Sequence, residues 1–159
     1  MKSAYRVLAY LIALEVAIQA AAMVYAIAGL GIWVENENGV LDKAAFESEE
    51  SLFPEMVGFM IHGMNGMMLI PLLALIFLIV SFFAKIPGGV KWAALTLLAV
   101  VVQVALGLFG HEAAILGMLH GINALILFSL AAMAGTRVKR AVETTGMRGT
   151  TTSSQREMV

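Results

Sequence analysis

The sequence predicts an all-α fold: a four-transmembrane-helix bundle built from two repeated helical hairpins, with the N and C termini cytoplasmic. Three observations carry that reading. Four apolar runs are each long enough to cross a bilayer, basic residues segregate to one side of the path those runs define, and one motif occurs in both the second and the fourth run. Of the 159 residues, 60% are hydrophobic and only 13% charged, with mean hydropathy +0.89. A soluble domain carries about a quarter charged residues, so that class is excluded. The chain has no cysteine, which removes disulfides, thiolate metal sites, iron–sulfur clusters and cysteine nucleophiles. No basic patch is interleaved with aromatics, so nucleic acid is excluded as a partner and the lipid bilayer takes its place.

The first span is expected over residues 7–32. Met1 to Arg6 make a short basic start and Ala26-Ile27-Ala28 resembles a signal-peptidase site, but an apolar stretch of about 26 residues exceeds the usual 7–15 of a signal sequence. The first span is therefore read as retained. An outer loop follows over 33–53, where Asp42 offers a cap for a short helix containing Leu41, Ala44, Ala45 and Phe46, lying over the bundle mouth. The second span covers 56–84, with Pro54 and Glu55 suited to its N-terminus and Pro71 set to bend it. Pro87-Gly88-Gly89 breaks the chain before the third span, 90–110, and Gly110-His111-Glu112 makes a tight turn into the fourth, 113–134. Residues 1–140 form the membrane domain. Residues 141–159 are expected to be a disordered cytoplasmic tail, polar and without hydrophobic period from Thr144 onward. Lys2, Arg6, Lys85, Lys91, Arg137, Lys139, Arg140, Arg148 and Arg156 all fall on the side of the termini, and Lys43 alone on the other. That asymmetry predicts both termini inside.

The repeat turns this topology into a site. Span two reads His62-Gly63-Met64-Asn65-Gly66 and span four His120-Gly121-Ile122-Asn123-Ala124, with Leu69 and Leu127 each seven residues past the histidine. Spans one and three echo each other more weakly, Gln19 and Gln103 being the lone amides of two Ala/Val-rich runs. At 100° per residue, Gly58, His62, Asn65 and Gly66 share one stripe, and Gly117, His120, Asn123 and Ala124 share another. Both histidines lie at about the same depth on inward faces of diagonally opposed helices, an arrangement suited to axial ligation of one haem iron. Gly58, Gly66 and Gly117 leave room for a flat macrocycle, and Asn65 and Asn123 supply polar groups beside it. The same residues also suit plain interhelical hydrogen bonding with close backbone approach.

Other residues carry alternatives. Burying Glu15 at mid-membrane costs on the order of 2.5–3.5 kcal/mol, so it faces the bundle, protonated or hydrogen-bonded to Gln19, Thr96 or Ser129. His111 in the short outer turn is a solvated or capping histidine, or a contact for a haem propionate. Met56, Met60, Met64 and Met67 form a stripe that would suit Cu(I), but about 160–200° away from His62.

Two hairpins, each with an inward histidine on its second helix, resemble one four-helix half of the haem A synthases and, more loosely, the cytochrome b type of membrane bundle. The resemblance spans residues 5–135 and implies His62 and His120 as haem ligands. The Tyr5-Arg6-Val7-Leu8-Ala9-Tyr10 start and the His-Gly-x-Asn motif also look like a family of small bacterial four-helix membrane proteins, implying a bacterial plasma membrane but no activity. The expectation is a small b-type cytochrome binding one haem b for electron transfer, with a redox partner or larger membrane complex and homo-oligomerisation open to it. A haem-free accessory subunit and a small transporter using Glu15 are the alternatives. No nucleophile–base pair, phosphate loop or metalloprotease motif is present, so a stand-alone enzyme is not expected.

Overall fold

Among the described residues the chain forms six α-helices: α1 (Lys2–Asn36), α2 (Lys43–Glu47), α3 (Val57–Met64), α4 (Ile70–Ala84), α5 (Gly89–Phe109) and α6 (Ala114–Arg156). The computed structural model describes residues 1–48, 50–110 and 112–156, with side chains as far as Val138 apart from Phe46. A 3₁₀ turn (Pro54–Met56) leads into α3, and a π turn (Asn65–Leu69) joins α3 to α4. Four stretches are long and apolar enough to cross a membrane: Lys2–Asn36, Pro54–Ala84, Gly89–Phe109 and Ala114–Val138.

The helices outrun the expected spans. The first continues to Asn36, because nothing in Trp33-Val34-Glu35-Asn36 breaks it. It ends where Asn38 takes a left-handed φ of 57° and Gly39 N–H returns to the Trp33 carbonyl at 3.0 Å. A side chain at Gly39 would collide with the Trp33 ring, which itself stacks on Phe53. The loop is thereby folded back onto the helix it left. The expected short helix exists as α2, with Asp42 Oδ1 accepting from the Ala45 N–H at 2.9 Å. It makes no extensive packing with a span. Lys43 lies in α2, 3.5 Å from Glu47 in an exposed pair, a geometry that contributes little. At the far end α6 runs on to Arg156, through Gly146 and Gly149 and into the tail whose composition predicts disorder, with no proline to stop it. Residues 157–159 of that tail lie outside the described residues.

Packing follows the ring order α1, α3–α4, α5, α6, with α6 closing on α1. Lipid is as apolar as leucine, so these helices gain by close contact rather than by escape from water. The core is accordingly rich in alanine: Ala9, Ala26, Ala74, Ala93, Ala131 and Ala134 are completely buried. Gly58 lies against the backbone of Ala22 and Ala26, Gly29 beneath the Glu55 side chain, and Gly135 against the Tyr10 ring. At the end carrying the chain's start, the Tyr5 hydroxyl donates to the Gly89 carbonyl at 3.1 Å. Arg137 there stands 4.3 Å over the Trp92 ring.

Candidate functional site

Diagonal placement of α3 and α6 leaves a cavity of about 680 Å³ between all four spans, partly open to the outside of the bundle. That is within the 300–1,000 Å³ typical of small-molecule sites. Its walls are almost wholly apolar, and the polar exceptions are His62, His120, Gln19 and Gln103.

The two histidines are anchored in the same way. His62 Nδ1 donates to the Gln19 carbonyl at 3.2 Å and His120 Nδ1 to the Gln103 carbonyl at 3.1 Å. A carbonyl can only accept, so the proton sits on Nδ1, and a neutral ring then keeps its free lone pair on Nε2. Neither Nε2 has a hydrogen-bond partner among the described residues. The ring centroids stand 5.9 Å apart with an interplanar angle of 57°. Each ring is thus fixed in tautomer and direction by the neighbouring helix of its own hairpin, an orienting contact typical of metal-binding histidines.

Around the rings the walls are cut away. A Cβ added at Gly63 or Gly121, the residues next to the histidines, would meet nothing within 4 Å. At Gly66 it would approach only the Gln19 amide oxygen, at 3.5 Å, and at Gly107 it would press on the His120 ring at 3.1 Å. Gly66 is therefore on the cavity wall, as the stripe count predicts. Gly58 lies instead in the α1 contact, and Gly117 lies 3.7 Å from the Gly110 carbonyl by the same measure. Neither lines the cavity. The sequence reading missed Gly63, Gly107 and Gly121. Two of them are letters of the repeated His-Gly motif itself, and Gly107 falls one turn after Gln103.

Gln19 and Gln103 line the cavity, whereas Asn65 and Asn123 do not and bond to the helix beside them instead. Asn123 Nδ2 donates to the Ala99 carbonyl at 2.9 Å and to Gln103 Oε1 at 2.7 Å. Asn65 Nδ2 donates to Glu15 Oε2 at 3.4 Å, so the acid's partner is none of Gln19, Thr96 and Ser129. Those two hydroxyls bond their own helices, at the Trp92 and Leu125 carbonyls. Gln19 is 7% exposed, yet neither polar atom of its side chain has a partner. An orphaned buried amide costs about 1–3 kcal/mol per group, so Gln19 presents an unsatisfied donor and acceptor at the cavity wall. Met60 and Met64 are exposed on the outer face of α3, but Met67 lines the cavity with His62, so the methionine stripe does not point wholly away from it, and His111 lies outside the described residues. No group of three or more His, Asp or Glu side chains able to hold a bare metal ion occurs among the described residues.

No protein-family model, curated protein or solved structure matches the chain.

Proposed function

We propose that the protein is a small b-type membrane cytochrome that holds one haem between His62 and His120 and passes electrons within the membrane. The observation that carries this reading is the pair of imidazoles on opposite cavity walls, each with Nδ1 tied to a backbone carbonyl and Nε2 left without a partner. Two protein ligands fall short of the four that a bare zinc ion takes, but His62 and His120, with ring centroids 5.9 Å apart, would be enough to hold a porphyrin iron. The glycine-lined walls, the volume and the orphaned Gln19 amide all suit a large, flat, mainly apolar occupant.

When bound, haem supplies one-electron chemistry. The chain's own part is to orient both imidazoles, to exclude water with apolar walls, and to set the ligands' basicity through the Gln19 and Gln103 carbonyls. The repeated motif and its matched bonds support a two-hairpin origin for the bundle. The basic residues at the end carrying Tyr5 and Arg137 support placing both termini in the cytoplasm of a bacterial plasma membrane.

The test is a visible spectrum of detergent-purified protein, oxidised and dithionite-reduced, with a pyridine haemochrome assay. The expected outcome is a sharp reduced α-band and near one haem per chain, lost in His62→Ala and in His120→Ala while membrane insertion persists. A wild-type protein still colourless after haem supplementation would overturn the reading in favour of a haem-free accessory subunit.

A further inference from the structure

The two hairpins anchor their histidines alike but treat their glutamines differently. In the second, Gln103 Oε1 accepts from Asn123 Nδ2 at 2.7 Å, and Ala124, next after that asparagine, puts a methyl group on the cavity wall. In the first, Asn65 Nδ2 is turned to Glu15 Oε2 instead. The Gln19 side chain, 7% exposed, is left with neither polar atom bonded. The residue matching Ala124 is Gly66, and a Cβ there would lie 3.5 Å from Gln19 Oε1. Gln19 and Gly66 both line the cavity. The missing methyl and the unbonded amide therefore adjoin, and together they make a polar notch in a largely apolar wall.

The chemistry of the notch specifies what enters it. A primary amide offers a donor and an acceptor side by side, and leaving both unmade in a buried place is costly. Its complement holds an acceptor and a donor equally close together, as an uncharged carboxylic acid does. A carboxylate would satisfy Nε2 but leave Oε1 facing a second oxygen. Among the described residues no lysine or arginine lines the cavity, so a carboxyl group enters such a medium in its neutral form. Position in the ring of helices decides which part of an occupant the notch meets. With axial ligands on α3 and α6, α1 and α5 stand at the edges of a plate held between them. Only the α1 edge carries an unbonded donor and acceptor together, since Gln103 Oε1 is taken by Asn123. The hydrogen-bonding substituents of haem b are its two propionate side chains, both on one edge of the macrocycle.

We propose that Gln19 and the space beside Gly66 form a haem-propionate site, which takes one propionate as the uncharged acid and turns that edge of the macrocycle toward α1. The inference rests on the haem assignment above. Gln19 Nε2 donates to the carboxyl C=O oxygen while the carboxyl O–H donates to Gln19 Oε1, so both orphaned atoms are satisfied and no charge is buried. Of the two haem orientations that the matched histidines alone would accept equally, Gln19 selects one.

The experiment offers full-length protein in detergent two iron porphyrins in competition, after its haem content as purified has been measured. One is haem b and the other iron etioporphyrin, whose side chains are methyl and ethyl groups only. The bound porphyrins are then extracted and counted. The ratio of haem b to etioporphyrin in wild type is expected to exceed that in each variant by about tenfold, the effect of hydrogen bonds made in a dry site. The variants are Gln19→Leu, which removes the orphaned pair, and Gly66→Ala, which supplies the methyl group of Ala124. Gln19→Leu is expected to unfold no earlier than wild type, because an apolar group of similar size replaces an unpartnered buried amide. The second readout is the infrared C=O stretch of an uncharged carboxyl, identified by an isotope label at the propionate carboxyl carbons. It is expected in haem-loaded wild type and lost from both variants. Equal ratios in all three proteins, loss of both porphyrins from both variants, or absence of the labelled band from haem-loaded wild type would overturn the proposal while leaving the haem assignment standing. A wild type that takes up neither porphyrin overturns both.

Discussion

Gly58 and Gly63 occupy one short helix and are required for opposite reasons. At Gly58 a Cβ would enter the carbonyl oxygen of Ala22, so hydrogen is the only side chain the α1 contact admits. At Gly63, on the cavity wall, a Cβ would meet nothing within 4 Å. A leucine at position 58 is expected to cost about 1–3 kcal/mol by overpacking and to lower the unfolding temperature in detergent. A leucine at 63 or 121 gains up to about 1 kcal/mol of helix propensity over glycine and fills space that the proposed haem would need. Gly63→Leu and Gly121→Leu are therefore expected to unfold no earlier than wild type while losing most of their haem, read by thermal unfolding and haemochrome assay side by side. At this scale the sequence told much. The inward direction and shared depth of His62 and His120 follow from helical periodicity and the repeat. Their partners do not, because a backbone carbonyl has no letter of its own and only the approach of two helices reveals which carbonyl a ring can reach. The Glu15–Asn65 bond was hidden for the same reason, since it joins helices fifty residues apart in the chain.

Between α3 and α4 the π turn Asn65–Leu69 adjusts the register of a whole helix. The sequence sets Leu69 and Leu127 seven residues beyond their histidines, yet Leu127 is buried and Leu69 only half-buried. Buried positions resume at Ile70, Ala74 and Phe77 in one span and at Leu127, Ala131 and Ala134 in the other. Span two thus holds one extra residue between its histidine and its core, and the wide turn absorbs it so that both ends keep their facing. Pro71 follows directly and has no N–H to offer the turn before it, so the bend expected at the proline takes the form of a widened turn upstream. A π turn of this kind is how a helix accommodates a single inserted residue, often at a functional site. Deleting Met68 is therefore expected to regularise the helix and leave haem binding intact. Deleting Ile76, in the regular part of α4, rotates one end against the other by about 100° and is expected to abolish it. Haem content of the two deletion proteins, at equal membrane yield, decides the point. Spacing alone could not disclose this turn, because equal spacing in two copies reads as equal register.

Across the whole molecule, four spans were legible from length and hydropathy alone, and the loop helix from its Asp42 cap. The ends of α1 and α6 were not, because polar residues such as Glu35 and Asn36 extend a helix beyond the apolar stretch that announces it. The cavity was legible only as a direction in which two stripes face. The proposed orientation has a direct check, since the chain contains no cysteine. With single cysteines at Ser3→Cys or Val40→Cys, a membrane-impermeant maleimide added to intact cells is expected to label position 40 and to reach position 3 only after lysis. One further property follows from the way the bundle is tied. Tyr5 fastens the start of α1 to the start of α5, and Arg137 lies across Trp92 beside that knot. The cavity begins beyond it, from Val16 on α1 and Val100 on α5. Mechanically the bundle is fastened at both ends, by Tyr5 and Arg137 at one and by the Gly58–Ala22 and Trp33–Phe53 contacts at the other, so the hollow lies in the unfastened middle of the span.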